Sequence, residues 1–298
     1  MNKDASLLTR SPSATLALAM VISGTIGAFV VEAGLHPVTT VFWRCCFGSI
    51  FLGVLCLLRG YLSWDALNAG QLARAAAGGV CIVLNWVALF AALKMTSIAT
   101  ATIAYHVQPF FVVLLGIFFF KERITRDQVL WMLAAFAGVV LASGMVLAPT
   151  AAGSTWAWGI ALTLGAAALY GVSTMIAKSL GGQRPEVTAL CQTTVGMAML
   201  VAFADYSVYV SPASWAWLVG IGVIHTGISY VLMYSAYPRL TTPIIGILTF
   251  IYPMVAIFVD WVFYAHPLGW AQAVGMLLIA LGTLGVKLGW RLGFRPAL

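Results

Sequence analysis

Ten apolar stretches, each close to 20 residues long, make up most of the chain and restrict what it can fold into. A bilayer core about 30 Å thick needs about 20 apolar residues per helix. Only 8% of the 298 residues are charged, whereas soluble domains typically carry about 25%. The sequence therefore predicts an all-α polytopic membrane protein and excludes an ordinary soluble enzyme. The stretches cover residues 13–31, 37–58, 71–93, 96–119, 127–147, 156–179, 187–204, 214–236, 241–264 and 269–289.

Lysine and arginine are distributed unevenly over the segments that join these stretches. With the N-terminus inside, thirteen of the 15 Lys and Arg residues lie in cytoplasmic segments, Lys94 lies outside, and Arg44 lies within the second stretch. Cytoplasmic loops of membrane proteins carry such an excess of positive charge. We therefore expect both termini in the cytoplasm, and we interpret the net charge of +7 as an insertion signal with no nucleic-acid partner.

The ten stretches divide into two halves of five, residues 1–150 and 151–298. An odd number of spans in each half places the two halves in opposite orientations, as in inverted-topology transporters. The sequence therefore predicts two inverted five-helix repeats that form one intertwined transport domain. The connecting loops are too short to hold a soluble catalytic domain.

Parts of the two halves align at an offset of 144 residues, with 79–143 on 223–287. The mid-helix prolines Pro109 and Pro253 coincide in this frame. Proline removes a backbone donor and frees the carbonyl four residues earlier, and freed carbonyls near mid-membrane suit a substrate ammonium group. We expect the corresponding faces to meet around one central cavity. The same frame pairs Asn85 with Ser229 and Trp86 with Tyr230.

Several short motifs in the chain match the pattern of a transporter family. They are Gly24, residues 37–44, residues 98–109, and residues 118–124, where an apolar helix end closes on Lys and Glu. The chain resembles the drug/metabolite transporter (DMT) superfamily in its ten-span EamA branch, and more narrowly the aromatic amino acid exporter group. The resemblance implies a multi-pass exporter of amino acids or similar metabolites in the bacterial inner membrane.

Polar side chains at bilayer depth are costly, so they usually face the bundle interior or a watery cavity. Tyr and Trp can add flat apolar walls with polar tips, which suit aromatic side chains and cation–π contact with an amine. The alternative is hydrogen bonding that only holds the helices together. The substrate-binding candidates are Trp43, Arg44, Asn85, Trp86, Tyr105, His106, Gln108, Tyr170, His225, Ser229, Tyr230 and Tyr252.

Arg44 is the cation that lies well inside an apolar stretch. Its side chain could extend to the outer interface, form an ion pair with Glu32 or Asp260, or bind a substrate carboxylate. Of these, we expect the structural ion pair.

Energy coupling has few candidate residues, because no acidic residue lies near the middle of any stretch. Only His106 and His225 could carry a coupled proton there. We therefore expect uniport by alternating access, with proton coupling through a histidine as the alternative. The expected substrates are small zwitterionic metabolites, above all amino acids with aromatic or apolar side chains. A cationic drug or another metabolite is the alternative.

The sequence contains few features that would indicate an enzyme, a metal site or a channel. The enzyme motifs HExxH and GxSxG are absent, and the five cysteines lack CxxC spacing. A channel would use a ring of like charges. We expect no catalytic residue, cofactor or metal, and as partners a small-molecule substrate and the lipid bilayer. We also expect a monomer or weak dimer, because Gly285 and Gly289 could form a dimer face, although packing within one chain is the preferred interpretation.

Overall fold

A computed structural model of the chain describes residues 11–62, 68–96, 98–143, 154–265 and 268–292. All regular secondary structure within these ranges is helical, which confirms the all-α class. Eight helical runs in the described residues are long and apolar enough to cross a membrane. They are Pro12–Ala33, Pro37–Leu58, Ala69–Leu89, Ile103–Phe120, Thr155–Ser179, Pro212–Arg239, Thr242–Tyr264 and Trp270–Leu288.

Two further helices correspond to the fifth and seventh predicted stretches but are shorter. Arg126–Ala142 has 17 residues and Pro185–Leu200 has 16, below the roughly 20 that a bilayer core needs. Residues 144–147, the end of the fifth stretch, lie outside the described residues. The count of ten spans and the cytoplasmic termini therefore stay predictions.

We number the helical segments of the described ranges in chain order. Segments 1 to 5 are Pro12–Ala33, Pro37–Leu58, Ala69–Met95, Ile98–Phe120 (interrupted at residues 106–107) and Arg126–Ala142. Segments 6 to 10 are Ser154–Ser179, Pro185–Leu200, Pro212–Arg239, Thr242–Tyr264 and Trp270–Leu288.

Segments 4 and 9 are both interrupted just before a proline. The first part of segment 4 ends at Tyr105 and the first part of segment 9 ends at Thr249. These residues lie four positions before Pro109 and Pro253, where the proline ring collides with the preceding turn. Irregular backbone of this kind is tolerated at membrane depth where protein buries it.

Segments 1 and 8 are irregular without a proline at the irregularity. Segment 1 is divided at Thr25 into Pro12–Gly24 and Ile26–Ala33. Segment 8 changes from α-helix to π-helix over Ile221–Ile228 and returns to α-helix at Ser229. Single π-helical turns inside α-helices occur frequently at functional sites.

Segments 4 and 9 carry the same backbone irregularities 144 residues apart. At each interruption a backbone N–H donates to the carbonyl three residues earlier, from His106 N to Ile103 O at 3.0 Å and from Phe250 N to Ile247 O at 3.2 Å. The described residues also contain two non-glycine residues with positive φ, Lys121 at 55° and Ala265 at 52°. Because 121 and 265 are again 144 apart, segments 4 and 9 end in the same strained left-handed conformation.

Equivalent segments pack against each other in antiparallel directions. A Cβ on Gly138 in segment 5 would lie 2.6 Å from the Gly275 carbonyl oxygen, and one on Gly282 in segment 10 would lie 2.6 Å from that of Trp131. In segments 2 and 7, Ser49 donates to Thr193 Oγ1 at 2.9 Å, a pair separated by 144 residues. Reciprocal antiparallel contacts are what a two-fold relation between inverted repeats requires.

Gly285 also packs within the chain, against the indole of Trp131. Packing of Gly285 within one chain is the interpretation that the sequence analysis prefers over a dimer face. The division into repeats 1–150 and 151–298 stays a prediction, and residues 144–153 between the repeats lie outside the described residues.

We predict that Gly138→Ala lowers the melting temperature of the purified protein, because its new methyl group meets backbone atoms of segment 10 that must move apart. The matched control is Gly165→Ala on segment 6, where an added Cβ meets nothing within 4 Å. The control should be neutral or slightly stabilising. Thermal unfolding in detergent measures both variants, and equal melting temperatures would contradict the packing described here.

Candidate functional site

Arg44 on segment 2 is buried, with 7% of its surface exposed, and points toward segments 3 and 8. Its Nε donates to Thr226 Oγ1 at 2.9 Å. The guanidinium carbon lies 4.0 Å from the centroid of the Trp86 ring and 5.8 Å from that of Tyr230. The structure thus brings three of the predicted site residues together: Arg44, Trp86 and Tyr230.

The expected ion pair of Arg44 is not formed. Among the described residues no carboxylate pairs with its guanidinium, and Glu32 instead accepts a hydrogen bond from Tyr264 at 3.1 Å. The physical reason is helix rotation: Arg44 faces the hydroxyl of Thr226 inside the bundle, whereas Glu32 lies at an exposed helix end. A buried cation without a counter-charge is costly at membrane depth.

A small cavity, which we call the axial cavity, adjoins Arg44. Trp86 and Tyr230 line it with Ile82 and Thr226, and these are two pairs of positions 144 residues apart. The cavity therefore lies where the two halves meet on their two-fold relation. The full lining is Ile82, Trp86, Ala189, Gln192, Thr193, Thr226 and Tyr230.

The axial cavity is closed around its polar groups in this structure. Its cavity volume is about 10 Å³, roughly what one water molecule needs. Small-molecule sites usually have about 300–1,000 Å³. A substrate can therefore occupy this position only after the surrounding segments move apart.

Asn85 and Tyr105 form a second group that joins segments 3, 4 and 6. Asn85 is fully buried, donates to the Ala166 carbonyl at 2.6 Å and lies 3.0 Å from the Tyr105 hydroxyl. The Tyr105 ring is 6.5 Å from Tyr170, whose hydroxyl lies 3.4 Å from that of Tyr237. This geometry suits interhelical hydrogen bonding.

His225 and Ser229 both face segment 1, as their shared helix face predicts. Thr25 Oγ1 lies 2.9 Å from His225 Nε2, and Ser23 Oγ lies 3.0 Å from Ser229 Oγ. The Phe29 ring lies edge-on to the His225 imidazole at 4.5 Å between centroids. The imidazole is therefore buried between segments 1 and 8, with a hydrogen-bond partner at Nε2 and none at the buried Nδ1 among the described residues.

The remaining predicted site residues lie in two other places. His106 stands 6.2 Å from the Tyr252 ring, and nearby Gln108 is buried with no hydrogen-bond partner for Oε1 among the described residues. The Trp43 ring is not among the rings that contact Arg44 in the described residues. It packs edge-on to Trp215 at 4.7 Å in an aromatic cluster.

Gln192 on segment 7 is a cavity residue that the sequence analysis missed. Its side chain is 3% exposed, lines the axial cavity and accepts a hydrogen bond from Tyr234 through Oε1. Gln192 could have been predicted as a site residue in the same way as Asn85, because it is a polar side chain inside an apolar stretch, the seventh. The same reasoning applies to Thr226, a polar residue inside the eighth stretch and the hydrogen-bond partner of Arg44.

An ion pair joins segment 6 to the residues that follow segment 4 at one end of the bundle. Lys178 Nζ lies 3.2 Å from Glu122 Oε1. The other carboxylate oxygen accepts from Thr242 N at 2.5 Å and from Thr242 Oγ1 at 2.7 Å, at the start of segment 9. A carboxylate at a helix N-terminus is favourable. The far end of segment 9 is held to segment 1 by the exposed Tyr264–Glu32 hydrogen bond.

The described residues contain no group of three or more His, Cys, Asp or Glu side chains that could hold a metal ion. The chemistry available at the axial cavity is therefore that of hydrogen-bond donors, one cation and aromatic faces. Such a set can bind a small molecule that carries an anionic group.

The EamA-like transporter family matches the chain twice, over residues 12–144 and 157–288. The "Uncharacterized transporter YxxF" of Bacillus subtilis (strain 168) is 31% identical over 287 residues, 95% of this chain and 92% of that protein. The "Pseudopaline exporter CntI" of Pseudomonas aeruginosa (strain UCBPP-PA14) is 27% identical over 273 residues, 90% of each chain. A solved structure, "Crystal structure of protein", shares the fold with a TM-score of 0.82, at 20% identity over 95% of this chain and 99% of that one.

We predict that Arg44→Gln raises the melting temperature of the ligand-free protein by roughly 2–4 °C. Glutamine can still donate to Thr226 but removes a buried charge that has no counter-ion among the described residues. Arg59→Gln at the exposed end of segment 2 is the control and should leave the melting temperature unchanged. A lower melting temperature for Arg44→Gln would show that the cation stabilises the closed structure.

Proposed function

The chain belongs to the EamA-like transporter family and is a multi-pass bacterial membrane transporter, and on that premise we propose that it exports small zwitterionic metabolites. Amino acids with aromatic or apolar side chains are the first candidates. The likeness to a named exporter supports the direction of transport. The narrower resemblance to aromatic amino acid exporters supports the substrate class.

The observation that carries this proposal is the buried guanidinium of Arg44 beside the axial cavity. It has a hydroxyl and two aromatic rings as neighbours but no carboxylate among the described residues. A substrate carboxylate would supply the missing counter-charge, and a guanidinium forms strong, charge-assisted hydrogen bonds with a carboxylate. The transported molecule would thus stabilise the centre of the protein when it binds.

The aromatic residues beside Arg44 support an apolar or aromatic substrate side chain. Trp86 and Tyr230 meet edge to face at 6.3 Å and Tyr230 meets Tyr234 at 5.4 Å. Aromatic rings favour such offset contacts with further rings. The runner-up, a cationic drug, is disfavoured at this position because Arg44 would repel it.

The closed axial cavity and the contacts at the two ends of segment 9 support alternating access. We propose that opening toward the predicted cytoplasmic side separates Glu122 from Lys178, and that opening toward the outside separates Tyr264 from Glu32. The two repeats would rock around the fixed site, as inverted-repeat transporters do. Each opening breaks one set of contacts while the other remains.

We propose uniport without proton coupling. The surroundings of His225 support this proposal, because Nε2 is paired with the Thr25 hydroxyl, the Phe29 ring packs against the imidazole, and the unpaired Nδ1 is buried. The protein would then work as a monomer or weak dimer in the inner membrane, with the concentration gradient of the substrate as the driving force.

We expect purified protein in proteoliposomes to take up labelled phenylalanine in a saturable manner, with unlabelled 3-phenylpropionate competing better than phenethylamine. Arg44→Gln should lower kcat/KM by roughly tenfold or more, the effect of losing hydrogen bonds to a charged group. Arg44→Lys should retain part of the activity, because it keeps the charge but not the planar fork. Arg59→Gln is the matched control. Stronger competition by phenethylamine would instead assign the site to cations.

We expect this uptake to need no pH gradient, and His225→Asn should leave its pH dependence unchanged. Asparagine can keep a hydrogen bond to Thr25 but cannot titrate. The measurement is phenylalanine uptake between pH 5.5 and 8, with and without a gradient. Uptake that requires the gradient in the wild type and loses its pH dependence in His225→Asn would overturn uniport and assign coupling to His225.

A further inference from the structure

We propose that Gln192 is a specificity-determining residue that donates the second hydrogen bond to the substrate carboxylate, opposite Arg44. This inference rests on the proposed function, since it assumes that a carboxylate occupies the axial cavity. Gln192 belongs to segment 7 and Arg44 to segment 2, so the two donors would come from corresponding segments of the two halves.

The amide of Gln192 has one end occupied and the other free. Oε1 accepts the hydrogen bond of the Tyr234 hydroxyl, whereas Nε2 is buried and has no hydrogen-bond partner among the described residues. An unpaired buried donor is rare, because it forfeits its hydrogen bonds to water. Because the Gln192 side chain also lines the axial cavity, we infer that this free donor is available to a ligand there.

Tyr234 and Gly78 set the direction of this amide. The hydroxyl of Tyr234 donates to Oε1, which leaves Nε2 on the other side of the amide. Nε2 passes so close to Gly78 that a Cβ there would lie 2.7 Å from it, and the Gly78 carbonyl already accepts from Ser173 at 3.1 Å. Tyr234 is thus a positioning residue for Gln192.

Arg44 and Gln192 share their neighbours around the axial cavity. Thr226 and Tyr230 contact the Arg44 side chain and also line the cavity with Gln192. Since the cavity measures only about 10 Å³, its walls stand close together. One carboxylate between them could accept from the guanidinium through one oxygen and from Nε2 through the other.

This arrangement predicts selection for the carboxylate itself. A carboxylate offers acceptors to both donors, whereas a carboxamide replaces one acceptor with an NH₂ group that faces a donor. A site whose buried donors stay unpaired rejects such an analogue strongly. Phenylalanine should therefore bind much more tightly than phenylalaninamide.

The first test is made on the ligand-free protein, by melting temperature, in a double-mutant cycle of Gln192→Glu and Arg44→Gln. If Nε2 faces the guanidinium, the new carboxylate pairs with Arg44, so Gln192→Glu should be neutral or stabilising in the wild type and destabilising in the Arg44→Gln background. Equal shifts in the two backgrounds would overturn the proposed geometry, whatever the substrate is.

The second test uses Gln192→Met, which keeps the length of the side chain, and Tyr234→Phe, which removes the orienting hydroxyl. Ligand-induced thermal stabilisation gives the affinities for phenylalanine and phenylalaninamide. We expect Gln192→Met to weaken phenylalanine binding roughly tenfold with little effect on the amide, and Tyr234→Phe to act in the same direction. Gln128→Met, in an exposed helix cap, is the control and should leave both affinities unchanged.

The outcomes separate this inference from the proposed function. If Arg44→Gln abolishes phenylalanine binding while Gln192→Met leaves the preference for phenylalanine over phenylalaninamide unchanged, the role of Gln192 is overturned and the proposed function stands. If neither phenylalanine nor 3-phenylpropionate stabilises the wild type, the proposed function fails, and the ligand-free cycle still decides the geometry. An equal loss of both affinities in Gln192→Met would indicate a packing role and overturn the inference.

Discussion

Every backbone amide and carbonyl within a bilayer must find its partner inside the protein, and the rest of this structure depends on that constraint. It makes all regular structure in the described residues helical. It also restricts where a helix can be interrupted. The interruption at Phe250 is fully buried, and the half-buried Thr25 uses its hydroxyl both for the Ile22 carbonyl and for the buried His225. Irregular backbone is therefore gathered inside the bundle, where polar side chains are needed as partners.

A charge at membrane depth also needs a partner inside the protein, and Arg44 has no counter-charge among the described residues. Its cation–π contact with Trp86 and its hydrogen bond to Thr226 offset part of the cost of burial. In the proposed function, the same cost would favour the entry of an anion, because the charge interaction with Arg44 is stronger in a medium of low dielectric constant. A transporter must bind its substrate and then release it, so a cation that is only partly satisfied in the closed protein suits the task better than a completed ion pair.

The sequence predicts the features of this fold that depend on local chemistry. Apolar length predicts the helices, and Pro109 and Pro253 act on the turns that end at Tyr105 and Thr249. The division of segment 1 at Thr25 and the π-helix at Ile221–Ile228 have no such local signal, because partners from distant parts of the chain determine them. The partner of Arg44 could not be predicted either. It depends on a helix rotation that selects Thr226 over Glu32, and sequence spacing carries no information on it.

The two-fold relation explains why the axial cavity can be both symmetric in backbone and specific in chemistry. Corresponding positions face each other across it, yet they differ: Trp86 faces Tyr230, and the glycine at position 48 corresponds to Gln192. Gly48 lets segment 2 approach Thr226 closely, whereas Gln192 brings a donor. In the proposed mechanism, the inverted backbone would supply two equivalent ways to open. In the proposed function, the unequal side chains would hold an asymmetric molecule, with its carboxylate toward Arg44, in a single orientation during both openings.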